Sequence, residues 1–439
     1  MNAANAQGRV CFITLGCAKN EVDTADMKKK VLGAGFALED DPASADAVVV
    51  NTCSFIQAAT EESLEAIFDV AGLENFQRGD AKLIVAGCMP ARYGDDLADE
   101  LTEATEFVPC SKEDDIAAIL RSILGAEERA EGEAETAARA ADLGSQPSAY
   151  VKISDGCDRF CSYCTIPYIR GRYRSFPLDE IMADIAEQVE AGAREIVFIA
   201  QDTGRWGDDF DEPATLAQLM AAAAEAYPDV WFRVMYIQPE GVTDELLDCV
   251  AAHDNIASYF DVPLQHSDER ILCAMNRRGS RAEYEALVAR IRERVPGAIV
   301  RTTLIAGFPG ETEEQFDDLC SFVEEADLDY VGVFPYSQEE GTRAARMDAQ
   351  LDEDVKQERA QTLRDVADAV STARVAARVG QEMDVLVLGC EENGQLFGRA
   401  QCQAPEVDGV VYVNAGEPGD VVRCRIVDTL LYEMEGEAL

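Results

Sequence analysis

The amino-acid sequence predicts an α/β protein of three domains: a parallel α/β domain, a partial (βα)6 barrel and a small C-terminal β-barrel. Two observations indicate this class. Short apolar runs alternate with amphipathic helical patterns from residue 10 to residue 334, and short strand patterns separated by Gly, Asn and Pro follow near the C-terminus. The chain length, 439 residues, also exceeds the size at which one hydrophobic core usually stops growing.

The first domain is predicted to span residues 8–124 around a parallel sheet. Its candidate strands cover residues 10–15, 47–51 and 83–86, and its candidate helices cover residues 23–32 and 57–70. A cysteine follows each strand closely: Cys17, Cys53 and Cys88. Because the carboxyl ends of parallel strands share one edge of a sheet, these thiols are expected to converge on a metal cluster. Ordinary burial of three cysteines is the alternative.

A flexible acidic linker is predicted at residues 125–148. This stretch is rich in Ala, Glu and Gly and has almost no large apolar residues. Such a composition cannot build a hydrophobic core, so the linker separates the first domain from the second.

Residues 149–376 are predicted to form the partial barrel. Its candidate strands cover residues 150–154, 195–200, 231–236, 259–264, 299–305 and 330–334. Helical patterns fill the gaps, the clearest at residues 177–191, and a charged helix at residues 352–378 ends this part of the chain. Functional side chains of such barrels come from the carboxyl ends of the strands.

The first barrel strand is followed by the motif CxxxCxxC, formed by Cys157, Cys161 and Cys164. Three thiolates can hold a cubane iron-sulfur cluster while one iron stays open to bind a substrate or cofactor. Zinc remains an alternative on spacing alone, although closed zinc sites want four ligands and no second CxxC pair follows. The motif therefore favours a cluster that takes part in chemistry.

The C-terminal module, residues 377–439, is predicted as a small β-barrel with candidate strands at residues 383–388, 409–413 and 420–427. It contains twelve Asp and Glu residues against four Arg residues. The whole chain has a net charge of −46, which repels nucleic-acid phosphates and attracts basic proteins. A solubility or salt adaptation of the host is the alternative explanation for this charge.

Other compositional features indicate a cytoplasmic location. No apolar run is long enough to span a bilayer, and the N-terminus has no charged-then-apolar signal pattern. The chain has fourteen cysteines, which suit metal sites and buried thiols in a reducing compartment better than a disulfide framework. The eight cysteines outside the two sets, such as Cys11 and Cys249, are predicted to be core residues.

The CxxxCxxC motif after a first barrel strand resembles that of the radical S-adenosylmethionine (SAM) enzymes, whose core is a partial TIM-like barrel. The resemblance implies that SAM chelates the open iron of the cluster held by Cys157, Cys161 and Cys164, and that an electron from this cluster releases a 5′-deoxyadenosyl radical. These three cysteines would then be catalytic as well as metal ligands. A low-potential electron donor such as flavodoxin or ferredoxin is also implied.

Further cofactor contacts are expected at the strand ends. Tyr163 is placed where these enzymes often put an aromatic near adenine, and Gln201, Asp202 and Gln265 follow the second and fourth strands. Gly310 ends the fifth strand, although Thr312 to Gln315 matches a helix capping box that alone would explain a turn there. His266 is more simply a structural residue.

Together, the two cysteine sets and the C-terminal module resemble the methylthiotransferases over almost the whole chain. That family implies two [4Fe-4S] clusters, SAM, a sulfur donor, and a C-terminal TRAM module of OB-like shape. The segments Leu15-Gly16-Cys17-Ala18-Lys19-Asn20 and Ala404-Pro405-Glu406-Val407-Asp408-Gly409 are similar to the RimO-like subclass, which modifies the β-carbon of an aspartate in ribosomal protein S-twelve.

The predicted partner is therefore a basic small-subunit ribosomal protein, free or on the assembled subunit, and direct tRNA binding is not expected from so acidic a module. Two alternatives stay open: a MiaB-like enzyme that modifies adenosine in tRNA, and a non-enzymatic iron-sulfur protein that binds basic partners. Arg343, where many relatives carry Pro, departs from the family pattern and is expected to affect a turn.

Overall fold

The structure is a computed structural model that describes residues 7–127 and 146–439. The described residues form two compact units. The first unit contains residues 7–127 with two short later segments, 156–158 and 164–173, and the second contains the remainder. Most of the predicted linker, residues 128–145, lies outside the described residues.

The first unit is built on a five-stranded sheet that is parallel throughout, in the order β2-β1-β3-β4-β5. Its strands are β1 (Arg9–Thr14), β2 (Ala37–Leu38), β3 (Ala47–Thr52), β4 (Lys82–Gly87) and β5 (Glu106–Pro109). Its helices are α1 (Ala18–Gly33), α2 (Gln57–Ala71), α3 (Glu74–Gln77), α4 (Cys88–Tyr93), α5 (Asp95–Glu100), α6 (Ile116–Leu124) and α7 (Ile166–Ile169). The three predicted strands are confirmed to within about two residues, a common uncertainty at element ends. The short strands β2 and β5 were not predicted.

Helices cover both faces of this sheet. On one face Val49 and Ile84 pack with Leu120 of α6, and on the other Val48 packs with Ile67 of α2. Every residue of β3 is buried, as expected for a central strand of a parallel sheet. The two-sided core fixes where the strands end, and hence where the residues after them lie.

The second unit contains the partial barrel. Its strands are β6 (Ser148–Lys152), β7 (Ser154–Asp155), β8 (Arg174–Ser175), β9 (Glu195–Ile199), β10 (Trp231–Val234), β11 (Tyr259–Asp261), β12 (Ile299–Ala306) and β13 (Tyr330–Pro335). Its helices are α8 (Leu178–Glu190), α9 (Leu216–Ala226), α10 (Asp244–Ala252), α11 (Glu269–Ala274), α12 (Arg281–Arg294), α13 (Glu313–Glu325) and α14 (Glu353–Ala376).

Six of these strands follow one another around the barrel as β6-β9-β10-β11-β12-β13. Two parallel three-stranded sheets make up this series. They meet where the Ile237 N–H donates to the Asp261 carbonyl at 2.9 Å and the Ala257 N–H donates to the Phe232 carbonyl at 2.8 Å. The predicted partial (βα)6 barrel is confirmed, and its core includes stacked Phe198 and Phe232, with ring centroids 5.8 Å apart.

The C-terminal module is a closed five-stranded barrel in the order β14-β15-β16-β18-β17. Its strands are β14 (Glu382–Cys390), β15 (Leu396–Ala400), β16 (Val411–Val413), β17 (Val421–Leu430) and β18 (Glu433–Ala438). A buried ion pair between Arg399 of β15 and Glu195 of β9 joins it to the partial barrel, and Arg233 also contacts Glu195, at 3.0 Å. The predicted small β-barrel is confirmed.

Within the described residues, none of the helices combines the length and apolar character needed to cross a bilayer.

Candidate functional site

Three cysteines converge at the carboxyl edge of the five-stranded sheet, as the sequence predicts. Cys17 immediately precedes α1, Cys53 follows β3 and Cys88 begins α4. Burial raises the pKa of Cys53 to about 11, and the neighbouring thiols of Cys88 and Cys17 add to the shift. Cys53 and Cys88 are buried whereas Cys17 is exposed, so the site opens to solvent on the Cys17 side.

A glycine brings the first two of these cysteines together. Gly16 has φ of +99°, and a Cβ placed on it would lie 2.6 Å from the Cβ of Cys53. A side chain at this position would meet both backbone strain and a steric clash. Gly16 therefore allows the end of β1 to lie directly against Cys53.

Two buried asparagines tie the strand ends to each other. The Asn20 side-chain amide donates to the carbonyls of Leu15 and Thr52 at 2.9 and 3.0 Å, and the Asn51 amide donates to the Asn20 carbonyl at 3.0 Å. Asn51 Oδ1 has no hydrogen-bond partner in the described part of the chain. Nothing in the sequence pattern separates these asparagines from ordinary loop residues, and they were not predicted as site residues.

Arg170 brings a buried guanidinium to the same site. Its Nη1 donates to Asp23 Oδ2 at 2.7 Å, and its Nη2 donates to Asn20 Oδ1 at 2.8 Å. The same Nη2 lies 3.8 Å from Cys88 Sγ. The Arg170 and Asp23 side chains are only 3% and 2% exposed, so this geometry is held away from solvent. Arg170 lies six residues after Cys164, and sequence analysis did not connect it to Cys88.

A fourth cysteine, Cys110, lies beside Cys88. It follows β5 directly and begins a 3-10 turn that spans Cys110–Asp115. A hydrogen bond with Cys110 and the nearby Arg170 guanidinium together lower the pKa of Cys88 to about 7, against the effect of burial. The same hydrogen bond raises the pKa of Cys110.

No three His, Cys, Asp or Glu side chains in residues 7–127 and 146–439 are arranged to hold a single metal ion. A cubane cluster distributes its cysteine ligands over separate irons, so its thiolates need not meet at one point. Three thiols with a buried guanidinium beside them fit such an anionic group chemically.

The CxxxCxxC stretch is divided between the two units, and Cys157 and Cys164 belong to the first. The Cys157 N–H donates to the Gly171 carbonyl at 3.1 Å. Gly156, immediately before it, has φ of +76°, and a Cβ there would lie 2.1 Å from the Arg172 carbonyl oxygen. The start of the motif is therefore fixed by close backbone packing. Cys157 is buried and Cys164 is half-buried.

Cys161 belongs to the second unit and is also half-buried. Arg277 forms a side-chain hydrogen bond with it, and Arg277 Nη2 donates to the Pro263 carbonyl at 2.6 Å. A cavity of about 240 Å³ lies beside this cysteine, lined by Arg159, Glu240, Asn276, Arg277 and Arg278.

Unpaired buried acceptors follow two neighbouring strands of the partial barrel. Gln201 Oε1 and Asp202 Oδ1 lie after β9, and Gln238 Oε1 lies after β10, each without a hydrogen-bond partner among the described residues. Asp202 Oδ2 accepts from Arg159 Nε at 2.5 Å. Burial raises the pKa of Asp202 although Arg159 opposes it. Since buried polar atoms normally have partners, these acceptors fit a polar ligand such as SAM.

Gln265 and His266 have different surroundings at the end of β11. Gln265 has φ of +73° and bonds through its backbone to Thr303 and Ile305 of β12. His266 is fully buried, and its Nε2 lies 3.4 Å from Glu311 Oε2, which also accepts from the Gly307 N–H at 2.9 Å. His266 Nδ1 accepts from the Asp268 N–H at 2.9 Å, a contact that fits the structural role predicted for this residue.

The two other predicted cofactor contacts also make internal contacts. The Gly310 N–H donates to the Ala349 carbonyl at 2.8 Å, and Tyr163 packs against the barrel core. The capping box predicted at Thr312 is present, with Gln315 as its reciprocal partner.

The core prediction for the remaining cysteines is wrong in part. Cys11 and Cys424 are buried, but Cys273 and Cys390 are exposed. Cys273 lies on a solvent-facing position of α11, and Cys390 is the last residue of β14. Cys110 contacts Cys88 rather than apolar side chains alone.

Comparison with known proteins finds a family match for each of the three parts of the chain. Residues 9–108 match an uncharacterized protein family, UPF0004, residues 151–323 match the radical SAM superfamily, and residues 379–439 match the TRAM domain. The ribosomal protein uS12 methylthiotransferase RimO of Geobacter sulfurreducens is 41% identical over 450 residues, which cover 99% of this chain and 100% of that protein. RimO of Trichlorobacter lovleyi is 40% identical and covers 99% of both chains. The chain belongs to the RimO family of methylthiotransferases.

Solved structures share the fold of this RimO-family chain at low sequence identity. The radical SAM methyltransferase TsrM from Kitasatospora setae has a TM-score of 0.52 at 15% identity, over 75% of this chain and 74% of that chain. The cobalamin-dependent SAM radical enzyme OxsB has a TM-score of 0.51 at 12% identity, over 81% and 56% of the two chains.

Proposed function

We propose that this RimO-family chain is a radical SAM methylthiotransferase that replaces a C–H hydrogen by a methylthio group on an aspartate β-carbon of ribosomal protein uS12. Relatives that match over their full length at about 40% identity are named ribosomal protein uS12 methylthiotransferase RimO. The observation that carries the proposal is the convergence of Cys17, Cys53 and Cys88 at one sheet edge, in a chain that also contains CxxxCxxC. A simple radical SAM enzyme needs only the second set.

Each cysteine set is proposed to hold one [4Fe-4S] cluster. Cys17, Cys53 and Cys88 would hold the first, and Cys157, Cys161 and Cys164 the second; each set leaves one iron open. Bound there, the clusters and SAM would supply radical hydrogen abstraction and the methyl group. The protein keeps Cys53 and Cys88 buried and places Arg170 beside Cys88, which balances thiolate charge and excludes water.

SAM is proposed to bind at the strand ends of the partial barrel. Gln201 and Asp202 are supported by their unpaired buried acceptors, which can take hydrogen bonds from the amino or ribose groups of the cofactor. Tyr163, Gln265 and Gly310 are also proposed to line this site, where Tyr163 packs against the barrel core and the backbones of Gln265 and Gly310 make internal hydrogen bonds.

The surface charge of the TRAM module supports a basic protein as substrate. Two of its four arginines, Arg378 and Arg399, are buried, and Arg378 hydrogen-bonds Tyr330. The two exposed arginines, Arg423 and Arg425, contact acidic side chains of β14. Ten of the module's twelve acidic residues are exposed. Such a surface attracts basic ribosomal proteins and repels RNA phosphates. A MiaB-like tRNA substrate is correspondingly disfavoured.

Three further parts of the proposal complete the reaction. A low-potential carrier such as flavodoxin or ferredoxin would supply electrons, and a separate donor would supply sulfur. The enzyme would act in the cytoplasm, where ribosomes are assembled and used, on free uS12 or on the small subunit.

Intact-mass spectrometry of uS12 tests the substrate. Cells that contain the enzyme should show uS12 heavier by one methylthio group, and cells without it should not. An unchanged mass would reject the substrate assignment, and a methylthio group on tRNA instead would favour the MiaB-like alternative.

Anaerobic reconstitution tests the cluster assignment. The intact chain should bind iron and sulfide for two cubanes, and Cys53→Ala or Cys161→Ala should each lose about half of the iron. Cys390→Ser is the matched control, because this exposed cysteine belongs to neither set. If dithionite releases no 5′-deoxyadenosine from SAM in the reconstituted enzyme, the non-enzymatic alternative is favoured.

A further inference from the structure

We propose that Arg170 and Cys110 are positioning residues for the first cluster, acting through hydrogen bonds to the sulfur of Cys88. The inference rests on the proposed role of Cys88 as a cluster ligand. It assigns to two residues outside both cysteine sets a part in setting the reduction potential of that cluster.

The geometry of Arg170 is fixed independently of any cluster. Asp23 and Asn20 accept from its two terminal nitrogens at 2.7 and 2.8 Å. These contacts leave Nη2 facing Cys88 Sγ at 3.8 Å. Asn20 is itself held by Leu15 and Thr52 carbonyls, so the guanidinium is aimed at Cys88 by a rigid set of buried partners.

Cys110 lies beside Cys88 and shares a side-chain hydrogen bond with it. It begins the turn after β5, whose strand neighbour β4 ends next to Cys88. The parallel pairing of β4 and β5 therefore brings the two cysteines together, as it does for the residues that follow β1 and β3. A thiol that donates to a thiolate withdraws negative charge from that sulfur.

Hydrogen bonds to ligand sulfurs and nearby positive charge stabilise the reduced, more negative state of an iron-sulfur cluster. Donors that converge on Cys88 should therefore make the first cluster easier to reduce. They should also hold Cys88 in its ligating orientation, since ligands are commonly oriented by such outer partners.

The test uses the full chain with Cys157, Cys161 and Cys164 replaced by Ala, so that only the first cluster assembles. After anaerobic reconstitution, the midpoint potential is measured by titration with EPR detection. Arg170→Gln, made together with Asp23→Asn so that no buried charge is left unpaired, and Cys110→Ala should each shift the potential to more negative values. Arg170→Lys should give a smaller shift because a cation remains.

Arg92→Gln is the matched control. Arg92 lies in α4 close to Cys88, but its Nη1 donates to the Ser54 carbonyl at 2.7 Å. Its substitution also removes a nearby positive charge, but it should shift the potential less than the Arg170 change does, because the Arg92 guanidinium is directed at a backbone carbonyl. Loss of the cluster from the Arg170 and Cys110 variants, with retention in Arg92→Gln, would also support a positioning role.

Two outcomes separate the inference from the proposed function. If the parent variant binds no cluster, the ligand assignment of Cys17, Cys53 and Cys88 fails. If the parent binds a cluster and the Arg170 and Cys110 variants keep its potential unchanged, the positioning role is rejected while the ligand assignment stands.

Discussion

Arg170 and Asp23 form an ion pair at 2.7 Å in which both side chains are almost completely buried. Arg170 lies in α7's C-terminal flank and Asp23 in α1, so the pair joins two segments of the first unit that are 147 residues apart in the chain. A buried charge that loses its partner is strongly destabilising.

Asp23→Asn should therefore lower the free energy of unfolding of the cluster-free chain, by about 3–5 kcal/mol. The Asp23→Asn and Arg170→Gln double variant should lose less than the sum of the single variants, because each then removes the other's unpaired charge. Urea unfolding under reducing conditions measures both. Asp114→Asn is the control, since its partner Lys30 is a surface residue and surface pairs contribute little. Additive losses would contradict the pairing.

Gly156→Ala should abolish the second cluster and spare the first. The added Cβ would lie 2.1 Å from the Arg172 carbonyl oxygen, which would displace the backbone before Cys157. Iron should fall by about half, since one of two cubanes is lost. Gly171→Ala is the matched control: it has a similar φ of +73° but no atom within 4 Å of its Cβ, so it tests backbone strain alone. Equal iron loss in both variants would refute the steric explanation.

Asp202→Asn should weaken SAM binding while cluster content stays normal. Asp202 Oδ1 is a buried acceptor with no hydrogen-bond partner in the described residues, and an amide nitrogen placed there would turn an acceptor into a donor. Equilibrium dialysis of SAM with the reconstituted enzyme should show a dissociation constant raised by roughly tenfold or more, as expected for one lost charged hydrogen bond. Unchanged affinity would exclude a direct contact.

Protonation of Glu195 should lower the stability of the folded chain in acid. Burial raises its pKa, but Arg399 and Arg233 outweigh this effect and lower the pKa to about 2, from 4.5. Because the folded pKa is below the unfolded value, the stabilisation is complete above pH 4.5 and is lost as pH falls toward about 2. In the parent chain the free energy of unfolding should therefore fall by about 3 kcal/mol over this range. Glu195→Gln should abolish this fall, which urea unfolding at several pH values measures. Glu392→Gln, at an exposed position, should leave the acid profile intact.

Charge reversal on the TRAM module should slow substrate recognition. Glu392 and Glu435 are exposed, and their double substitution by Lys should lower the association rate of basic uS12 several-fold at low salt, as expected for electrostatic steering. The difference should shrink at high salt because screening shortens the range of the field. The double substitution of Glu62 and Glu65 by Lys, on exposed positions of α2 in the first unit, changes the net charge equally and is the control. A rate that responds equally to both changes would point to net charge alone.

The fold and family were predictable because the strand and helix patterns extend over long stretches and the cysteine motifs have a characteristic spacing. Alternating strand and helix patterns fixed the α/β class, and the strand-end rule placed Cys17, Cys53 and Cys88 together, which the structure confirms. Their ligand role, like that of Cys157, Cys161 and Cys164, stays a prediction, as do the domain boundaries.

Cys110 was missed for a physical reason. Its strand, β5, has four residues, begins with Glu106 and ends with Pro109, so it carries little of the apolar pattern that identifies a buried strand. Without β5, Cys110 has no strand end to follow and is assigned to the core. Arg170 was missed because a contact over many intervening residues leaves no local pattern; only the folded chain brings it to Cys88.

Residues 164–173 fold with the first unit although the radical SAM match, residues 151–323, includes them. The bounds of the radical SAM family match therefore differ from the bounds of the compact structural units. A fragment ending in the predicted linker would contain Cys17, Cys53 and Cys88 but lack Arg170, leaving Asp23 buried without its ion-pair partner. Part of the buried interior of the first unit is therefore encoded downstream of the linker, and the N-terminal segment alone cannot form the complete unit.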